Sequence, residues 1–156
     1  MTPPDPSAPI IEPVRMTVRV RRNIEDAFDI FTRDIGSWWP LDRFSFDTER
    51  SRELHLEPFE GGRFYERYRD GVEHDNGRVL RWEPPRLVAY AWRHDDWSEA
   101  TEVEVKFIAE QPKLTRVELE HRAWERLGVE GANWRDMYNN GWPTVIRCFA
   151  SFAGVA

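Results

Sequence analysis

The residue best placed to do chemistry in this chain is Glu66, which stands between two rings in the alternating run Phe64, Glu66, Tyr68 on the inward side of a strand. A carboxyl facing a dry cavity loses hydration and its pKa rises, so it can serve as a general acid or base, or orient a polar group of a ligand. The same carboxyl could instead pair with Arg78 or Arg81 on the next strand, or be turned outward by a bulge. His121 falls in register with Val117 and Leu119, which places its imidazole on the concave side near the last helix. There it could bind a ligand or move a proton, or be satisfied within the core by a hydroxyl or a backbone carbonyl. Glu66 and His121 are the candidate catalytic residues. Trp38, Trp39, Tyr90, Trp92, Tyr138 and Trp142 supply more ring surface than a small core usually holds. Such rings can wall a pocket while their N–H and O–H groups give a few polar contacts, so at least three are expected to border one cavity and the rest to pack. With Phe64, Glu66, Tyr68 and His121 they form the candidate ligand-binding set.

Other chemistries lack their signatures. His74-Asp75 and His94-Asp95-Asp96 sit in separate loops without HExxH or paired CxxC spacing, and read as solvated turns rather than a metal centre. Cys148 is the one cysteine; it excludes an internal disulfide and suggests a buried thiol in a reducing, cytoplasmic compartment. Its helical turn offers only Arg147, which should point elsewhere, so it is a poor nucleophile. GxSxG, phosphate-loop and GxGxxG motifs are absent, and no cofactor is implied. A net charge of −6, with arginines spread along strands beside acidic residues, argues against nucleic acid as a partner. No signal peptide and no apolar run of about 18 residues is present, so neither secretion nor membrane insertion is expected.

The elements that must position these residues follow from periodicity. The proline-rich stretch from Met1 to Pro13 buries little and reads as a disordered arm, leaving 14–156 as one domain. From Val14 strict alternation marks a half-buried strand. Asn23 can cap a helix carrying Ile24, Phe28, Phe31 and Ile35, which should stop at Gly36, with Pro40 preventing continuation past Trp39. Six strands follow, separated by Gly61-Gly62, Asp70-Gly71, Pro84-Pro85, His94 to Ser98 and Gln111-Pro112, and short separators imply an antiparallel meander. Over Asn133 to Ala153 the spacing of Tyr138, Trp142, Val145, Phe149 and Phe152 predicts an amphipathic helix, and Pro143 predicts that it is kinked or in two parts.

This order of elements makes an α+β domain whose curved sheet wraps the last helix. The stretches FTRDIGSWWP (31–40), GGRFYE (61–66), GRVLRWEPPRLVAYAW (77–92), TEVEVKF (101–107), EHRAWERLG (120–128) and Gly141-Trp142 resemble the SRPBCC, or START-like, superfamily. Within it they are most similar to the branch of the C-terminal domain of the activator of heat-shock-protein ATPase. The resemblance implies the helix-grip (START-like, Bet v 1-like) fold: a seven-stranded antiparallel sheet around a long C-terminal helix, with one or two short helices after the first strand. It also implies a cavity for an apolar or aromatic molecule, such as a lipid or polyketide-like ligand. A cyclase, dehydratase or hydrolase activity through Glu66 and His121 is one alternative, and a chaperone-stimulating interaction module is another. The eukaryotic activators' separate N-terminal domain is not expected, and neither is the histidine and carboxylate ligand set of ring-hydroxylating relatives. Monomer and homodimer both remain open.

Overall fold

The computed structural model describes residues 10–156. Most of the expected arm therefore lies outside the described residues. Its last residues are tied down: Arg135 donates to the carbonyls of Glu12 and Pro13 at 3.0 and 3.2 Å, and Ile11 packs against the core.

Seven strands form one antiparallel sheet in the order β1-β7-β6-β5-β4-β3-β2. They are β1 (Val14–Val20), β2 (Ser51–Leu56), β3 (Arg63–Tyr68), β4 (Glu73–Glu83), β5 (Leu87–Trp92), β6 (Thr101–Gln111) and β7 (Leu114–Arg122). Helices α1 (Ile24–Thr32) and α2 (Ile35–Trp38) carry the chain from one sheet edge, β1, to the other, β2. The sheet curls around the long helix α3 (Gly131–Ala153), which gives the expected helix-grip architecture. Inward residues Val103, Val105, Phe107, Val117 and Leu119 meet Trp142, Val145, Ile146 and Phe149 of α3, and Phe28 and Phe31 of α1 close the core. On the outer face of the sheet Arg122 joins Glu102, Glu104 and Glu120 in a charged ladder. No described helix is long and apolar enough to cross a membrane.

Local structure follows the side chains, with four departures from the sequence expectation. Asn23 caps α1 by accepting from the Asp26 N–H at 2.8 Å. Helical structure does not stop at Gly36, because α2 runs through it. A Cβ there would lie 2.7 Å from the Leu54 carbonyl, so the glycine lets α2 sit directly on β2. Trp39 then turns extended ahead of Pro40. Second, α3 is one helical segment through Pro143 rather than two. The ring deletes a single amide bond, while Trp142 is hydrogen-bonded to β7 and Tyr138 to β5, which pins the helix on the N-terminal side of the proline. Third, Phe152 is 48% exposed, and the small Ala150 and Ala153 take the buried positions of the last turns. Finally, Cys148 is only half-buried.

Candidate functional site

A cavity of about 420 Å³ opens where the 39–46 corner, the end of β5 with the loop after it, and the first half of α3 converge. Its apolar wall comprises Trp39, Phe44 and Phe46 from the corner, Trp92 from β5, and Trp134, Met137, Tyr138, Trp142 and Val145 from α3. Arg43, Ser45, His94, Asp95 and Asp96 add polar groups. The indoles are held by their own N–H groups. Trp39 Nε1 donates to the Phe44 carbonyl at 2.6 Å, Trp92 Nε1 to the Tyr138 hydroxyl at 2.8 Å, and Trp142 Nε1 to His121 Nδ1 at 3.0 Å. Trp39 stands edge-on to Trp142 with ring centroids 5.9 Å apart, and Phe46 lies 5.3 Å from Trp92. With those donors committed inside the wall, these three rings offer the cavity apolar surface. Gly141 carries no side chain where Phe44 leans on α3: a Cβ there would meet the phenyl ring at 3.1 Å.

Behind Phe46 runs a chain of polar groups. The Phe46 N–H donates to both Glu66 carboxyl oxygens at 3.1 and 3.2 Å, and Asn76 Nδ2 donates to Glu66 Oε2 at 3.1 Å. Asn76 Oδ1 faces His74 Nδ1 at 2.8 Å, and His74 Nε2 faces Asp95 Oδ1 at 2.8 Å. Both partners of His74 are acceptors, so the ring carries both protons. Burial works against that charge, but hydrogen bonds to Asn76 and Asp95, with the negative charge of Asp95 and Glu66, outweigh it and raise the His74 pKa. Burial also raises the Glu66 carboxyl, and its hydrogen bonds together with the nearby charge of His74 offset this only in part. The Phe46 ring stacks on His74 with centroids 4.2 Å apart, which couples the cavity wall to this network.

Residues 21–154 match the family model described as activator of Hsp90 ATPase homolog 1-like protein. The chain belongs to the AHSA1 family. Among solved structures, the anthrahydroquino-gamma-pyrone synthase Txn09 is 34% identical, with 91% of this chain and 97% of that chain covered and a TM-score of 0.61. The self-sacrificing resistance protein CalC from Micromonospora echinospora is 28% identical over 91% and 94% of the two chains, with a TM-score of 0.66. PFC0360w, an HSP90 activator from Plasmodium falciparum, is 19% identical over 94% and 99%, with a TM-score of 0.63, and shares the fold. No curated protein sequence matches the chain significantly.

In this AHSA1-family domain four of the ten expected ligand-binding residues, Trp39, Trp92, Tyr138 and Trp142, border the cavity. The other six lie behind its wall. Trp38 is buried against Phe31 and Phe149, its N–H on the Ile30 carbonyl. Phe64 and Tyr90 stack on each other, fully buried, at 4.9 Å. Tyr68 is buried under the Arg50 guanidinium, and desolvation pushes its hydroxyl up to about 12. Glu66 is 1% exposed and covered by Phe46. No arginine compensates it: Arg78 turns to Asp75, and Arg81 to Glu83 and Glu104. His121 is fully buried, between the Trp142 N–H on Nδ1 and the Thr101 hydroxyl, 2.7 Å from Nε2. That hydroxyl donates to the Trp92 carbonyl, so it accepts from His121. Burial holds the imidazole neutral, with its pKa lowered to about 3.

The loop histidines require a correction. His74 and Asp95 are partners, not separate solvated turns, although no group of three or more His, Cys, Asp or Glu converges as a metal site among the described residues. The Pro84-Pro85 turn signals a β4–β5 hairpin, but a bulge between Val79 and Arg81 shifts its register, and past it the Arg93 N–H donates to the Asn76 carbonyl at 3.0 Å, which brings the loop after β5 beside His74; nothing in the spacing shows that bulge. Phe44 and Phe46 lie in an aperiodic stretch after Pro40, where nothing in the residue spacing fixes how the chain folds.

Proposed function

We propose that this domain binds a flat, mainly apolar aromatic molecule in the cavity between β5, the 39–46 corner and α3. The observation that carries this reading is the wall itself: about 420 Å³ bounded by indole and phenyl rings, the size and lining of small-molecule pockets generally. The likeness to the pyrone synthase Txn09 supports a polycyclic, polyketide-type ligand. The half-buried, unpaired Cys148 fits a cytoplasmic setting, in which the protein acts as a monomer or homodimer. The chaperone partner suggested by the family name is tested by pull-down with purified chaperone. Titration calorimetry with flat tricyclic aromatics tests the cavity. Binding that Trp39→Ala weakens roughly tenfold, as for loss of a ring anchor, is the expected result; the absence of binding by any such ring system overturns the reading.

A catalytic version has its own support in the chain Glu66–Asn76–His74–Asp95, which joins a buried carboxyl to the cavity margin. His121 has no part in it, since both ring nitrogens are committed. Glu66 does not reach the cavity, and the Asn76 amide between it and His74 is no proton relay, so in this version Glu66 acts by supporting His74, and Glu66→Gln lowers turnover while affinity changes little.

A further inference from the structure

We propose that the ligand carries a ring carbonyl, and that the Tyr138 hydroxyl donates a hydrogen bond to it. This rests on the apolar-cavity reading above and adds the polar end of the ligand. Trp39, Trp92 and Trp142 have each committed their N–H within the protein. Tyr138 differs from them. Its oxygen accepts from Trp92, but its own hydrogen has no acceptor among the described residues, and the side chain lines the cavity. Desolvation pushes its pKa up to about 12, so the hydroxyl keeps that hydrogen across the physiological range. His94 adds a second donor at the margin: its Nδ1 accepts the Asp96 N–H at 3.1 Å, which leaves the proton on Nε2. The carboxylates on this side are less available to a ligand, since Asp95 Oδ1 is taken by His74 and Asp96 is largely exposed. The wall therefore offers hydrogen-bond donors to its ligand, and a flat ring system bearing an acceptor oxygen satisfies them, whereas a bare hydrocarbon leaves Tyr138 unpaired.

The pair 9-fluorenone and fluorene differs only in a carbonyl against a methylene. By calorimetry the wild-type protein should bind fluorenone roughly five- to tenfold more tightly, the size of one net hydrogen bond. The infrared carbonyl band of bound fluorenone should lie below its position in an apolar solvent. Tyr138→Phe should narrow the gap between the two affinities. Because this variant frees the Trp92 N–H, Tyr138→Phe/Trp92→Phe is the control that removes both donors. Equal binding of the two ligands to wild type, or a preference and band shift that survive in the double variant, overturns the carbonyl assignment and leaves the cavity reading intact. If neither ligand binds while other flat tricyclic aromatics do, the carbonyl assignment falls and the cavity reading stands.

Discussion

His121 and His74 are both inward-facing imidazoles with both ring nitrogens engaged, yet they end in opposite charge states. Around His121 stand an indole N–H donor and a hydroxyl that can accept, with no carboxylate in contact. Burial then decides, and the ring is neutral, its pKa down to about 3. Around His74 stand two acceptors, an amide oxygen and a carboxylate, with Glu66 one residue farther along the chain of bonds. The hydrogen bonds and charges prevail over burial and raise the pKa, so these partners favour the cationic form of the ring. The donor or acceptor character of the partners, more than depth, separates a histidine that clamps the core from one that carries charge to a cavity margin.

The largest effect should come from breaking the His121 side. Trp142→Ala deletes a ring shared by core and cavity and leaves His121 Nδ1 without its donor. We expect a loss of roughly 3 to 5 kcal/mol in chemical denaturation, the usual range for a large buried ring. A loss under about 1 kcal/mol would mean that the ring behaves as a surface residue.

The comparison sharpens with pH, where the two rings should act in opposite directions. For His121 the folded pKa lies below the unfolded value of 6.5, so its stabilising contribution is present above pH 6.5 and is lost as pH falls toward about 3. His121→Gln keeps an acceptor for Trp142 and removes the titration. Its stability deficit against wild type should shrink steadily on acidification across that window. For His74 the folded pKa is raised, so its contribution is complete below pH 6.5 and is lost as pH climbs through the folded value. His74→Phe should therefore cost most at pH 5 and least at pH 9, with a loss of roughly 1 to 3 kcal/mol at the acid end for two bonds left without a donor. Parallel pH curves for the two variants would refute the opposite charge assignments.

Alternation and turn chemistry made most of the fold legible. Val103, Val105 and Phe107 face in while Lys106 faces out, and Gly71 marks a turn between strands. The same alternation put Glu66 and His121 on the concave side. It could not give their depth, because depth depends on what covers a face. Glu66 is sealed by Phe46, from an aperiodic corner twenty residues earlier, and His121 by Trp142, from a helix twenty-one residues later. The sense of each hydrogen bond was hidden for the same reason: whether an imidazole meets a donor or an acceptor depends on contacts between elements.

The smallest expected effect lies at the far end of the His74 chain. Glu66 accepts from the Phe46 N–H and from Asn76, and Gln at this position retains an acceptor for them, so Glu66→Gln should change stability by less than about 1 kcal/mol at pH 4. The pH dependence is the sharper measure. Burial raises the folded pKa of Glu66 above the ordinary value of 4.5, so the folded state holds its proton where the unfolded chain has lost it. Its contribution to stability is complete below pH 4.5 and is lost as pH rises through the folded value. The glutamine variant, which cannot ionise, should therefore gain on wild type as pH is raised from 4 to 8 in paired denaturation curves. The gain must be read against His74, because a nearby imidazolium stabilises the ionised carboxyl. In a His74→Phe background that support is gone, and the advantage of Gln over Glu at position 66 should grow. An advantage that is flat with pH, or the same in both backgrounds, would show that Glu66 and His74 are not electrostatically linked and that the cavity margin takes no charge from the buried carboxyl.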